Sequence, residues 1–156
     1  MLRYLWAITM TKKITKLLVA NRGEIACRVL RTLHTHGIAG VAVFHHEDRA
    51  APHVSLADQA VQLDSDAPAA AYLDQRQIID IALRVGADAV HPGYGFLSEN
   101  ATFAQRVEEA GLVFIGPDAE SMRLMGDKIR ARTFAQAHGV PVAPSAQQLD
   151  DLADFV

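Results

Sequence analysis

Gly93-Tyr94-Gly95-Phe96-Leu97-Ser98 sets two glycines two positions apart, between a predicted strand and a predicted helix, and is one residue short of the pattern G-x-G-x-x-G. In that pattern the glycines let backbone amides approach a pyrophosphate at a helix N-terminus. The same string also reads as a tight structural turn. In that reading Ser98 caps the next helix and Glu99 adds favourable charge to its first turn. Lys128 stands in Met125-Gly126-Asp127-Lys128 at a predicted helix start. A lysine beside a glycine turn offers phosphate a long point charge, although such lysines are commonly just solvated. Arg22 and Glu24 follow the first predicted strand and either bind a ligand or pair with each other. Arg28 and Arg31 lie on the polar face of the first predicted helix, either bare to solvent or serving a subunit contact, where arginine is enriched.

Other chemistries lack their signatures. The chain has no G-x-x-x-x-G-K-[ST] phosphate loop and no G-x-S-x-G nucleophile elbow. It has 7 histidines but no H-x-x-x-H or C-x-x-C, so no metal ligands are assigned. Cys27 is a small helix-packing residue with no adjacent base to activate it. The 15 Lys+Arg against 18 Asp+Glu give 15 − 18 = −3, which leaves no basic surface for nucleic acid. No apolar run reaches the roughly 18 residues of a membrane span. A single cysteine argues for a reducing, cytoplasmic compartment. At 156 residues and 50% hydrophobic, the chain can build one core and part of another unit.

The elements that position these residues alternate between two hydrophobic periods. Leu17-Leu18-Val19-Ala20 reads as a buried strand, and residues 24–35 as a helix with Ile25, Val29 and Leu33 on one side and Gly37 as its stop. Val41-Ala42-Val43-Phe44 is the second strand, followed by a polar stretch in which Pro52 is expected to close any regular structure. One helical turn at 55–58, a short strand at 61–63 and a loop at 64–71 containing Pro68 come next. A helix over 74–84 has Ile78, Ile79, Ala82 and Leu83 as its apolar side, and Gly86 ends it. A strand entering at 87–90, a helix over 99–110 stopped by Gly111, and a strand at 112–115 complete the series.

Repeated strand–helix–glycine units predict an α/β fold, a doubly wound, Rossmann-like parallel sheet. Ligands of such sheets sit at the carboxyl ends of the strands. That edge gathers Asn21-Arg22-Gly23, His45-His46 and His91-Pro92-Gly93-Tyr94-Gly95. From Asp118 two helices are expected, at 118–125 and 127–138. An extended stretch around Pro141 and Pro144 and the start of another helix at 150 follow. The domain expectation is an N-terminal extension over 1–10, an α/β domain over 11–117, and linker helices with the start of a further, truncated domain over 118–156. Met10 resembles a second start, and residues 1–9 are too short and too weakly apolar for a secretory signal.

Four strings then coincide: Val19-Ala20-Asn21-Arg22-Gly23-Glu24-Ile25-Ala26, His91 through Asn100, Phe114-Ile115-Gly116-Pro117, and Met125-Gly126-Asp127-Lys128. Asp48-Arg49, His53-Val54 and Leu56-Ala57-Asp58 match in style. In this order and spacing they closely resemble the biotin carboxylase component of biotin-dependent carboxylases, of the acetyl-, propionyl- or methylcrotonyl-CoA or pyruvate type. The resemblance covers roughly residues 14–146. It implies a pre-ATP-grasp domain followed by an ATP-grasp domain, in a ligase that activates bicarbonate with ATP as carboxyphosphate and passes the carboxyl group to N1 of biotin. It further implies Lys128 as an ATP-phosphate contact, Tyr94 and Gly95 as wall of the biotin and bicarbonate pocket, and Arg28 and Arg31 as homodimer-interface positions.

The implied cofactors are ATP, Mg2+ or Mn2+, and biotin on a carrier protein. The implied partners are a biotin carboxyl carrier domain and a carboxyltransferase subunit or domain, with no nucleic acid and no membrane. The family's glycine-rich lid, second ATP lysine, metal-binding glutamates, and bicarbonate and biotin residues have no counterpart within the 156 residues. No catalytic residue is therefore assigned, and the isolated chain is expected to be inactive. Two other readings remain, a non-catalytic dimerisation or docking module and a dinucleotide-binding domain.

Overall fold

A computed structural model describes residues 13–142. The expectations for residues 1–10 and for the helix starting at 150 lie outside the described residues. Strand β1 (Lys16–Val19) leads into helix α1 (Gly23–Thr35), which returns the chain to β2 (Ala39–Phe44). After a single 3-10 turn at His46–Asp48 come α2 (Pro52–Leu56), β3 (Gln59–Gln62), α3 (Pro68–Leu73) and α4 (Gln75–Arg84). Then follow β4 (Ala89–His91), α5 (Ala101–Glu109), β5 (Val113–Phe114), α6 (Ala119–Gly126) and α7 (Lys128–Ala137).

The five strands form one parallel sheet in the order β3-β2-β1-β4-β5. This is the doubly wound α/β fold that the alternating pattern predicts. Successive strand side chains point to opposite faces. Leu17 and Val19 of β1 accordingly pack with Ala26, Leu30 and Leu33 of α1. Leu18 and Ala20 pack instead into a larger core with Ile78, Ile81, Phe103 and Val107 from α4 and α5. Helix α1 lies very close to β2. A Cβ on Gly40 would stand 2.5 Å from Leu30 Cδ2, so any larger residue there forces the buried Leu30 side chain to shift.

Several local expectations are corrected. Pro52 and Pro68 do not break structure; each opens a short helix at its first turn. There the missing N–H has no intrahelical partner to lose, and the fixed φ suits the helix. Residues 64–71 are thus loop only as far as Ala67, and the turn expected at 55–58 ends at Leu56. Asp58 instead accepts the Gly40 N–H at 2.7 Å and faces His34 Nε2 at 3.2 Å. On α4, Leu83 is 49% exposed and Ile81 takes the inward place. The fifth helix is capped by Asn100, whose Oδ1 accepts the Phe103 N–H at 2.9 Å, and not by Ser98. Helices α6 and α7 meet at Gly126 and Asp127 as the sequence predicts.

Candidate functional site

In this strand order the chain reverses direction of winding between β1 and β4, and the crevice at their carboxyl ends is where open α/β sheets place ligands. Asn21, 3% exposed, lies in the turn just after β1 at this point. Its Nδ2 donates to the carbonyls of Pro92 at 2.7 Å and Tyr94 at 2.8 Å, and its Oδ1 accepts the Arg22 N–H at 2.9 Å. One amide side chain therefore joins the turn after β1 to the turn after β4. Gly93 has φ +69°, and a Cβ there would stand 2.7 Å from Asn21 Nδ2. The glycine is required twice over, by its backbone conformation and by the clamp beside it. The Gly93 N–H donates to His91 Nδ1 at 2.9 Å, and burial holds the His91 pKa below the ordinary histidine value.

Tyr94, 61% exposed, projects from this turn, and its hydroxyl meets Glu24 Oε2 of α1 at 3.4 Å. Arg22 does not pair with Glu24; it pairs with Asp48 of the 3-10 turn. Asp48 Oδ2 in turn accepts the Tyr72 hydroxyl at 2.7 Å, and the Tyr72 oxygen accepts the His45 N–H at 3.1 Å. Burial first, and the Asp48 carboxylate with it, raises the Tyr72 pKa well above that of a free phenol, so the hydroxyl stays protonated. His53 is fully buried, and burial lowers its pKa while nearby Asp48 opposes the shift.

The glycine turn does not open directly onto a helix. Residues 96–100 intervene before α5, so the amides of Gly93 to Gly95 do not stand at a helix N-terminus as the dinucleotide reading requires. Ser98 and Glu99 instead line a cleft of about 520 Å³ together with Pro117, Ser121, Met122, Met125 and Gly126. Lys128 is exposed at the first position of α7, just past that cleft. The preceding Asp127 caps α7, its Oδ1 accepting the N–H groups of Ile129 and Arg130 at 2.9 Å each. Arg28 and Arg31 are both exposed on α1. Arg28 borders an apolar groove lined by Ile14, Ile25, Val29, Ile38 and Ile115.

The fold thus brings Tyr94 and Gly95 to the crevice, while Arg28 and Arg31 lie farther along α1 and Lys128 on the helices after β5. His45, His46 and Glu47 place ligand-type atoms within 4.8 Å of one another. Both ring nitrogens of His45 are engaged, however, Nε2 donating to the Ser65 carbonyl at 2.9 Å and Nδ1 accepting the Glu47 N–H at 3.4 Å. Sequence reasoning missed the roles of Asn21, Asp48 and Tyr72. Asn21 stands in the group expected at the carboxyl edge of the strands, and both it and Asp48 lie in strings that carry the family resemblance; Tyr72 lies where a loop was expected to end. No helix among the described residues is long and apolar enough to cross a membrane.

The model of the biotin carboxylase N-terminal domain matches residues 13–122. The chain is 49% identical over 138 residues to the mitochondrial methylcrotonoyl-CoA carboxylase subunit alpha of Glycine max, covering 88% of this chain and 19% of that protein. It is 50% identical over 146 residues to the biotin-dependent acyl-coenzyme A carboxylase alpha3 subunit of Mycobacterium leprae, covering 94% and 24%. Among solved structures it is similar to the biotin carboxylase domain dimer of Hydrogenobacter thermophilus 2-oxoglutarate carboxylase, in complex with MgADP, ADP and bicarbonate. That likeness has a TM-score of 0.85 at 45% identity and covers 91% of this chain and 31% of that one. The chain therefore spans about a fifth to a quarter of the length of these curated relatives.

Proposed function

This chain belongs to the biotin carboxylase N-terminal domain family, and on that premise we propose that it is the N-terminal part of an ATP- and bicarbonate-dependent ligase that carboxylates biotin on a carrier domain. The observation that carries the reading is the clamped turn. Asn21 holds the Pro92 and Tyr94 carbonyls at the crevice of the sheet, which supports the proposed role of Tyr94 and Gly95 as pocket wall. A wall held by buried hydrogen bonds needs little reorganisation when biotin and bicarbonate enter. Lys128 is the proposed ATP-phosphate contact, a point charge on a flexible stem, exposed at the start of α7. ATP, when bound, supplies the phosphoryl group that activates bicarbonate.

Phosphoryl transfer needs a metal ion and several cations around the transferred group. Beside Lys128 the flanking carboxylate, Asp127, already uses an oxygen to cap α7. These residues do not form a site for Mg2+ or Mn2+, and no step is assigned to a metal here. We accordingly expect the chain alone not to hydrolyse ATP in a bicarbonate-dependent way. The proposed domain boundary lies near residue 117, after β5, and the proposed compartment is cytoplasmic. The proposed partners are a biotin carboxyl carrier domain and a carboxyltransferase subunit or domain. Calorimetric titration with MgATP and with NAD tests the reading. Binding of ATP that weakens in Lys128→Gln supports it, and binding of NAD alone overturns it.

A second reading has its own support in the apolar groove beside Arg28. Arg28 and Arg31 are proposed to serve a homodimer contact there, and the chain then acts as a dimerisation or docking module. Light scattering on the chain and on Arg28→Glu distinguishes a dimer that the charge reversal splits from a monomer that it leaves unchanged.

A further inference from the structure

The turn after β4 is held at two points, one on each side of Tyr94 and Gly95. Asn21 holds the first, through the carbonyls of Pro92 and Tyr94. The second is aromatic. The Phe96 ring stacks on the Tyr72 ring, centroids 5.2 Å apart and planes 28° from parallel. Phe96 has φ +41°, a left-handed conformation that a side chain of this size rarely adopts. Such a conformation persists only where surrounding contacts hold it.

Those contacts trace to Tyr72, which is fully buried. Its hydroxyl is fixed from two other elements, by Asp48 Oδ2 at 2.7 Å and by the His45 N–H at 3.1 Å. The Asp48 carboxylate is itself oriented by Arg22, whose guanidinium carbon lies 5.7 Å from the Tyr72 ring centroid. A chain of contacts thus runs from the turn after β1, through the 3-10 turn and α3, to Phe96. Beyond Phe96, Leu97 is buried in the main core, so the turn has no slack on that side.

We infer that Tyr72, held by Asp48, is a positioning residue that sets the conformation of the Gly93–Leu97 turn through the Phe96 ring. This deepens the reading of Tyr94 and Gly95 as pocket wall and rests on it for its functional meaning. Tyr72 touches neither of them by a hydrogen bond and acts through the stack. The aromatic body of Tyr72 supports Phe96, and its hydroxyl locks the ring in place.

The test uses the full 156-residue chain, with residue-resolved amide exchange and the ring-proton shifts of Phe96. The Ser98 amide, bonded to the Gly95 carbonyl at 2.9 Å, reports the turn, and the Ile115 amide, bonded to Val90 at 2.9 Å, reports the sheet. In Tyr72→Leu the Ser98 amide is expected to exchange about tenfold faster while Ile115 is unchanged, the mark of local opening. The Phe96 ring shifts should move toward free-phenylalanine values. Tyr72→Phe keeps the stack and should restore both readouts most of the way. Equal acceleration of Ser98 and Ile115, or no change at Ser98, overturns the inference. If Tyr72→Leu does not fold, Phe96→Leu, which removes the stack from its more exposed side, decides. Faster exchange at Ser98 with a steady Ile115 supports the inference; no change at Ser98, or equal acceleration of both, overturns it. These readouts need no biotin, so loss of the pocket reading in ligand titrations and loss of this one are separate results.

Discussion

Asn21→Asp exchanges an amino group for an oxygen at nearly constant volume, and it reverses the logic of the clamp. The wild-type Nδ2 donates to two carbonyls, at 2.7 and 2.8 Å. An ionised carboxylate there faces both carbonyls with oxygen and has no proton to give. The two lost hydrogen bonds cost about 1 kcal/mol each. The site is nearly dry, with Asn21 3% exposed, so burial also raises the pKa of the introduced carboxyl. Each unit of that rise adds about 1.4 kcal/mol of penalty at neutral pH. A rise of one to two units brings the loss at pH 7 to about 3–5 kcal/mol, a large part of the roughly 5–15 kcal/mol that stabilises a domain.

The sign of the pH dependence follows from the direction of that shift. An acid with a raised folded pKa carries no penalty below its unfolded value near 3.9 and the full penalty once the pH exceeds its folded value. Protonated, the carboxyl can also donate to one of the two carbonyls. The deficit relative to wild type should therefore be small near pH 4 and grow toward pH 7. Urea denaturation of wild type, Asn21→Asp and Asn21→Ala at several pH values measures it. The alanine variant, which loses the hydrogen bonds without gaining a charge, should show a deficit that does not change with pH. A deficit under about 1 kcal/mol at pH 7 for the aspartate variant, or one that widens on acidification, refutes the donor role of Asn21.

Wild-type stability should itself fall on acidification below about pH 6.5, the unfolded histidine value, because burial lowers the folded pKa of His53 and His91 and the unfolded chain binds more protons there. Urea midpoints between pH 8 and 5 should show this slope, and His53→Gln should flatten it. Gly40→Ala should cost about 1–3 kcal/mol by overpacking, since the added methyl lies 2.5 Å from Leu30 Cδ2, and Leu30→Ala in the same chain should relieve part of the strain. Thermal or urea melts of the single and double variants read this as non-additivity. Asn100→Ala should cost about 1 kcal/mol, whereas Ser98→Ala should be near neutral, because Asn100 caps α5.

What was legible in the sequence was what short-range periodicity encodes. The apolar run at Leu17 to Ala20 has side chains for both faces of a sheet, and Ile25, Val29 and Leu33 recur at the spacing of one helix side. Those patterns arise from contacts within a few residues, so one reading frame suffices to see α/β alternation. The carboxyl-edge grouping of 21–23 with 91–95 followed from the same rule, and the structure puts both at one crevice. Local rules failed where an element's role depends on its neighbours in space. Pro52 and Pro68 read as breakers but open helices, and Leu83 read as core but faces out because Ile81 is the residue that meets the sheet side.

By itself the sequence determined the order of the five strands and the longer helices, and that the turns at 21–23 and 91–95 reach the ligand edge, since both follow from local hydrophobic period and from glycine placement. Only the tertiary structure decided the pairings within that edge. Asn21 reaches Pro92 and Tyr94 across 71 and 73 residues, and Arg22 finds Asp48 across 26 in preference to nearby Glu24. Such partners are chosen by strand order, which sets β1 between β2 and β4 and thereby brings three turns together. The sheet's cores on both faces fix that order, and the hydrogen bonds and the aromatic stack at the edge then follow from proximity that no local pattern records.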